Sequence, residues 1–284
     1  MIYKNLKFLP AGDRIIEIEL GDEMSFKLNF IAHSLSKAIK DAKIIGFVEL
    51  ITELASLQIV YNPEKITFND LKREIEIIYL NLDDLNNQEL NSRIYYIPVL
   101  YFDPWTQKCI EDYSLKNKIE KDYDPDLIVK LNKLKDKQEL KRIHSGTDYW
   151  VAALGFWPGL CSLIPLDPRC KLTAPKYNPP RLWTPKGSIG LGGSITSIYP
   201  DKTPGGYQIL GITPSPTYDP FQSLPDFKDN LALIKAGDRV RFIPIEMDEY
   251  LYIKEKVKHG KFHHNFSDYQ KFSISNYNKW IKDV

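Results

Sequence analysis

Residues 188–212 read SIGLGGSITSIYPDKTPGGYQILGI. Three short β-favouring runs, Ser188–Leu191, Ile195–Tyr199 and Gly206–Ile212, alternate with the turns Gly192-Gly193 and Pro204-Gly205-Gly206. The paired glycines mark places where the chain needs a positive φ or a close backbone approach. The rhythm continues on both sides, with Tyr149–Leu154 upstream and Arg239–Pro244 downstream. Short strands at near-regular spacing, separated by Gly/Pro turns, predict an all-β barrel or sandwich. The stretch from Gly146 to Pro225 holds 10 of the 15 glycines and 13 of the 19 prolines. The pattern therefore belongs to one half of the chain.

The other half has a different period. Arg14–Leu20 (RIIEIEL) alternates Ile16, Ile18 and Leu20 with charged residues, which predicts a half-buried strand. Leu28, Ile31, Leu35 and Ile39 then recur at helical spacing, so residues 25–41 are expected to be an amphipathic helix. Lys43–Leu50 and Leu57–Tyr61 are two more strand-like runs. A second helix opens at Thr67, with Asp70 three residues on, much like a capping box. Ile94–Phe102 reads as a last strand, and Pro98 demotes it to an edge or bulged position. The order β-α-β-β-α-β is the ferredoxin-like pattern. The predicted class is α+β: a ferredoxin-like α/β domain over residues 1–103, a linker of two short surface helices over 104–143, and a β-barrel over 144–284 with a C-terminal helix. That helix, Glu246–Gly260, is expected to pack through Met247, Leu251 and Ile253.

Composition narrows the function. The chain has 284 residues, 43% hydrophobic and 26% charged, enough to bury a real core. Lys and Arg number 38 against 37 Asp and Glu, a balance that argues against a dedicated nucleic-acid binder. No apolar run reaches the ~18 residues of a membrane span, and no signal-peptide h-region is seen. Three cysteines, Cys109, Cys161 and Cys170, lack metal-ligand spacing, so a reduced cytoplasmic protein without a metal site is expected. There is no P-loop and no G-x-S-x-G elbow. His263-His264 reads as a surface pair for want of a partner at metal-binding spacing.

Motifs of the second half carry a family resemblance. His144-Ser145, Tyr149, Gly155-Phe-Trp-Pro-Gly159, Thr196-Ser-Ile-Tyr-Pro200, Thr203-Pro-Gly-Gly206 and Ala236-Gly-Asp-Arg-Val-Arg-Phe242, with Gly12-Asp13-Arg14 upstream, resemble the allophanate hydrolase subunit 1 family. That family includes the B component of bacterial 5-oxoprolinase and an inhibitor of a sensor histidine kinase. A second set is similar to the first half of the carboxyltransferase domain of urea carboxylase. It comprises Leu166-Asp-Pro-Arg169, Pro175-Lys-Tyr-Asn-Pro179, Arg181, Trp183-Thr-Pro185 and Pro204-Gly-Gly-Tyr-Gln208, with Ser92-Arg93 and Asp103-Pro104 upstream.

The resemblance implies a cyclophilin-like barrel and an active site completed by a paralogous allophanate hydrolase subunit 2-type partner. It implies a small subunit of a carboxyltransferase-type or ATP-dependent amide- or lactam-processing enzyme, with a small amide as substrate. Biotin, as carboxybiotin on a partner, or ATP would enter at the level of the complex. A biotin carboxylase or carrier, or a third lactamase subunit, are the further partners it implies. The chain has no Met-Lys-Met biotinylation site and no ATP-grasp-like segment, so neither cofactor is expected on this chain. The alternative is a non-catalytic module that binds a sensor histidine kinase. Three positions depart from the family pattern: Ile195 where it has Gln, Ser197 where it has Gly, and Ile212 where it has Arg or Lys.

A site of this kind needs cations near a carboxyl group, donors near a ureido oxygen and a proton acceptor. His144 is the candidate proton carrier, or else a helix C-terminal residue. Lys176 and Arg181, in a Pro-rich loop, either bind a carboxylate or form salt bridges within the protein. Tyr177 and Trp183 either line a pocket for a flat ring or pack the loop. Gln208 hydrogen-bonds either an amide substrate or the neighbouring loop. Tyr149, Gly205 and Gly206 join the substrate-binding set through the matched motifs.

Overall fold

The computed structural model describes residues 1–82, 84 and 87–284. The chain forms two compact units, Met1–Ser92 with Tyr269–Val284, and Arg93–Asp268. The first boundary lies before Arg93 rather than after residue 103.

The first unit begins with β1 (Ile2–Pro10), β2 (Ile15–Gly21), α1 (Phe26–Asp41), β3 (Phe47–Thr52), β4 (Ser56–Tyr61) and α2 (Phe68–Leu80). These strands form an antiparallel sheet in the order β1-β2-β4-β3. The expected alternation in β2 holds, with Ile16, Ile18 and Leu20 all buried. They meet Leu28, Leu35 and Ile39 of α1 and Leu71 and Ile75 of α2 in one apolar core. Each fully buried Leu or Ile there contributes roughly 1.5–3 kcal/mol. Ser25 caps α1 by accepting from the Leu28 N–H at 3.2 Å. Thr67 caps α2 by accepting from the Asp70 N–H at 3.2 Å, and its hydroxyl donates to the Asp70 carboxylate at 2.6 Å. The capping box is therefore present in a variant form.

One element of this half differs from expectation. The place beside β2 is filled by β1, not by the run 94–102. β1 is only half-buried: Ile2, Leu6 and Phe8 pack against the core of this unit, while Lys4, Lys7 and Leu9 are exposed. The run 94–102 lies within β5 (Glu89–Tyr101), whose Tyr95, Ile97 and Val99 belong to the core of the second unit.

The second unit continues from β5 with α3 (Pro104–Asn117), α4 (Asp124–Leu131) and α5 (Lys137–Ser145). These three helices take the place of the expected two-helix linker, and Ile128 and Leu140 anchor two of them in the core. There follow β6 (Asp148–Leu154), β7 (Cys161–Pro165), β8 (Arg181–Thr184), β9 (Ser188–Gly192), β10 (Ile195–Ile198), β11 (Thr203–Gly205), β12 (Gln208–Ile212), β13 (Arg239–Pro244), α6 (Met247–Lys258) and β14 (Asn265–Ser273). The chain ends in α7 (Ile274–Lys282), which belongs to the first unit and sets its Tyr277 ring 4.6 Å from that of Phe26.

The large sheet runs β12-β9-β10-β7-β6-β13-β5-β14. β12 also pairs with β5, at Gly211↔Tyr101 and Ile212↔Leu100, so the order of pairings returns on itself. Gly211 makes that approach possible, since a Cβ there would sit 2.4 Å from the Leu100 carbonyl oxygen. β5 is not an edge strand. It pairs with β12 only at Leu100 and Tyr101, beyond Pro98, so the missing proline N–H costs no bond on that side. Arg93 at the start of the unit chelates Asp238 before β13, with Nη2 2.5 Å and Nε 3.1 Å from the carboxylate oxygens. On α6 the buried side is Tyr250 and Ile253, whereas Met247 and Leu251 are exposed. Among the described residues no helix is long and apolar enough to cross a membrane, and no group of His, Cys, Asp or Glu is placed to hold a metal ion.

Candidate functional site

Asp124, the first residue of α4, is fully buried in the second unit. Its Oδ1 accepts from the Tyr177 hydroxyl at 2.5 Å and from Lys121 Nζ, and its Oδ2 accepts from the Ile209 N–H at 2.7 Å. Arg181 Nη1 stands 4.0 Å from Oδ2. Arg181 is 1% exposed, and its other guanidinium nitrogens reach Thr184 Oγ1 at 3.3 Å. Nη1 itself has no hydrogen-bond partner. The guanidinium lies 4.3 Å from the Tyr177 ring and Lys121 Nζ 4.2 Å, a cation on an aromatic face in each case. Burial, with the Asp124 charge beside it, pushes the Tyr177 phenol far above its usual range. Tyr177 therefore stays a neutral donor to Asp124.

Gln208 joins this group at the start of β12. Lys121 Nζ donates to its Oε1 at 2.9 Å, and its own Nε2 donates to the Pro175 carbonyl at 2.7 Å. The loop is sewn to the glycines by the Tyr177 N–H, which donates to the Gly206 carbonyl at 2.6 Å. Gly205 pairs with Arg181 across the β11–β8 ribbon. The peptide bond Asn178–Pro179 is cis. Of the expected residues, Tyr177 and Arg181 thus meet one buried carboxylate, and Gly205, Gly206 and Gln208 adjoin it through Arg181, Tyr177 and Lys121.

Lys176 and Trp183 stand at the open side. Lys176 is exposed, with Nζ 5.2 Å from the Tyr207 ring. Lys202 Nζ lies 5.0 Å from the Trp183 ring. A cavity of about 230 Å³ is lined by Arg181, Trp183, Pro179, Tyr113 and Cys109 among others. The Cys109 thiol donates to the Trp183 carbonyl at 3.1 Å and is pushed up to about 11 by burial. It is held as a thiol, not as a thiolate nucleophile.

His144 and Tyr149 occupy a different setting. His144, in the last turn of α5, is fully buried, with Nδ1 2.8 Å from the Tyr101 hydroxyl and Nε2 3.3 Å from Thr196 Oγ1. Its ring stacks on Phe242 at 4.8 Å. A neutral ring serves both bonds, one nitrogen accepting and the other donating. Burial lowers its pKa to about 3. The Tyr149 hydroxyl donates to the His144 carbonyl at 2.9 Å, and burial raises that phenol too. The departures Ile195 and Ile212 are both buried apolar side chains.

Asp124 and Lys121 carry no mark in the sequence. Asp124-Pro125 reads as a helix start, which it is, and Lys121 as the end of a charged surface run. Apart from each other, their partners in the cluster lie 53 to 87 positions away, so no local spacing links the pair to the loop.

The sequence pattern of the family described as carboxyltransferase domain, subdomain C and D, matches residues 6–227. The chain is 31% identical over 257 residues to the B component of the 5-oxoprolinase of Bacillus subtilis (strain 168), covering 86% of this chain and 95% of that protein. It is 28% identical over 281 residues to the urea amidolyase of Lachancea kluyveri, covering 97% of this chain and 15% of that protein. The crystal structure of the K. lactis urea amidolyase superposes with a TM-score of 0.86 at 27% identity, over 98% of this chain and 17% of that one. The chain thus spans nearly the whole of the bacterial relative but about a sixth of the fungal proteins, all of them enzymes or enzyme components. It shares its mixed α/β architecture with the urea amidolyase region, and the family pattern spans most of its length: this chain belongs to the carboxyltransferase domain family, subdomain C and D.

Proposed function

We propose that this chain is the small subunit of a carboxyltransferase-type or ATP-dependent amide- or lactam-processing enzyme, with a site completed by a paralogous second subunit. The observation that carries this reading is the near-full-length match to the B component of a 5-oxoprolinase, within a family pattern that covers residues 6–227. The network that joins Tyr177 and Arg181 to Asp124, and Gly206 and Gln208 to Tyr177 and Lys121, supports it, because it holds a Pro-rich loop beside a cavity. On the same reading the first unit is the ferredoxin-like domain with β1 in the place of its last strand. The returning order of strand pairings in the second unit is then the cyclophilin-like barrel.

The residues divide by exposure. Lys176 and Trp183 face the open side and would touch a small amide or its activating group. Arg181, Tyr177 and Gln208 position the loop through Asp124. His144 and Tyr149 pack the interior beneath α5, where burial favours the neutral imidazole. Carboxybiotin on a partner would supply the carboxyl group in the carboxylase form of the reaction, and ATP would drive the lactam-opening form. This chain's part is to bind and orient in both.

Reconstitution tests the reading. The purified chain alone should not turn over 5-oxoproline or urea with ATP. Combined with its paralogous subunit and either a lactamase-type subunit or a biotin carboxylase and carrier, it should support one of the two reactions. Lys176→Ala and Arg181→Ala should each lower that rate more than tenfold, about 1.4 kcal/mol in the barrier. Turnover by the single chain overturns the shared site. A stable complex with a sensor kinase, and none with the second subunit, establishes the binding role instead.

A further inference from the structure

A second cavity in the second unit, of about 420 Å³, is lined by none of the residues of the Asp124 cluster. Its volume lies within the range of small-molecule sites. Five pieces of chain form it: the start of α3, the turn 185–187, residues 198–200 at the end of β10, the segment 212–217 from the end of β12, and α6. Gly187 ties three of these together, since its N–H donates to the Tyr199 carbonyl at 2.7 Å and its carbonyl accepts from the Thr213 N–H at 2.8 Å. The segment 212–217 is also held from outside. His264 Nε2 lies 2.8 Å from the Pro216 carbonyl, while its Nδ1 lies 2.9 Å from Asp226. The walls are therefore preformed.

The charge of the lining is one-sided. It includes Lys186 and Lys254 and no Asp or Glu. Both lysines are exposed, and neither forms an ion pair with a described carboxylate. Opposite in character is the apolar part. The rings of Trp105 and Tyr250 stack at 5.1 Å with 27° between their planes, and Ile212 contributes an aliphatic surface. Lys254 Nζ lies 5.5 Å from the Trp105 ring, so one cation adjoins the aromatic wall. Ser215 and Thr217, in the remaining wall, carry buried hydroxyls without a hydrogen-bond partner. Such groups are uncompensated within the protein.

We propose that this cavity binds a small monoanionic organic acid with a flat apolar body. The carboxylate sits between Lys186 and Lys254, and the body lies against Trp105 and Ile212. The cations select the charge, and the stacked rings and aliphatic wall select the flat body. This goes beyond the proposed reaction, because it assigns a ligand class to residues that the Asp124 cluster does not use.

Benzoate and its neutral isostere benzamide test it on the purified full chain, by calorimetric titration with tryptophan fluorescence alongside. Benzoate should bind saturably, at least tenfold tighter than benzamide, and weaken as NaCl is raised. Lys186→Ala combined with Lys254→Ala should remove that preference while leaving benzamide binding unchanged. Trp105→Ala should weaken both probes. Both lysines are exposed, so the double variant keeps the fold, which its unchanged melting temperature verifies. Equal affinity for the two probes, full benzoate affinity in the double variant, or no saturable binding of benzoate overturns the proposal. The measurement needs neither partner nor turnover, so its failure leaves the enzymatic reading standing.

Discussion

Arg181 Nη1 and Asp124 Oδ2 face each other at 4.0 Å inside the protein, and no hydrogen bond joins them. Asp124 is already bonded by Tyr177, Lys121 and the Ile209 N–H. Arg181 spends its other nitrogens on Thr184. The two charges are neighbours by attraction, while their directional bonds go elsewhere. A buried charge that loses its counter-charge is costly, whereas one that keeps another partner is less so.

The pair should therefore respond unequally to substitution. Asp124→Ala leaves Arg181 and the 14% exposed Lys121 side chain without an anion and strips Tyr177 and Ile209 of their acceptor. It should cost about 3–5 kcal/mol in urea unfolding. Arg181→Met keeps Asp124 bonded to all three of its donors and should cost roughly 1–2 kcal/mol, with an apolar chain of similar reach replacing the guanidinium. Equal losses in the two variants would mean that Asp124 is not the hub of the cluster.

Thiol chemistry reads the same region from another side. Burial pushes Cys109 up to about 11 and Cys161 up to about 12, while Cys170 is partly exposed. At pH 8 a thiol reagent should label Cys170 quickly in the native protein and the other two only after denaturant is added. A mass spectrum of the native sample taken after minutes should show one adduct. Rapid labelling of Cys109 there would contradict its place against the Trp183 carbonyl.

Local period makes the regular elements legible. The alternation in β2, the stripe of α1 and the Thr67 cap all stand where the residue pattern puts them, because each is decided within a few residues. The turns of 188–212 likewise mark β9, β10 and the core of β12. What stays hidden is what long-range contact decides. β1 is a half-buried edge strand with no fully buried residue, and it takes the place that the pattern assigns to the run 94–102. β7, β8, β11 and β14 are short or polar and borrow their conformation from neighbours. In the site, the Pro-rich loop residues are legible because proline and glycine mark the loop. Asp124 is not, because a buried carboxylate looks the same in sequence as an exposed one.

His144 carries a prediction about acid. Its pKa falls to about 3 in the fold, against ~6.5 for a free imidazole. The unfolded chain binds the extra proton, so this group's contribution is fully present above pH ~6.5. It is lost as pH falls from there toward 3, at up to about 1.4 kcal/mol per unit. Unfolding free energies measured at pH 7 and pH 5 should fall in the wild type by roughly 2 kcal/mol from this group. They should fall by correspondingly less in His144→Gln, which keeps a donor and an acceptor for Tyr101 and Thr196. The same pH slope in both proteins would show that the imidazole is not held neutral.

Gly187 and Gly193 separate strain from collision. Both have positive φ, 85° and 62°. A Cβ on Gly193 would meet nothing within 4 Å, whereas one on Gly187 would land 2.4 Å from the Thr213 carbonyl oxygen. Gly193→Ala should cost only the left-handed backbone penalty, about 1–2 kcal/mol. Gly187→Ala must in addition push Thr213 away and break the bonds by which Gly187 joins Tyr199 and Thr213, so it should cost at least about 1 kcal/mol more. Paired urea titrations read the difference. Since Gly187 also lines the larger cavity, its variant should lose benzoate affinity that Gly193→Ala retains. Equal losses of stability and of binding in the two variants would show that the turn 185–187 yields freely and does not shape the cavity wall.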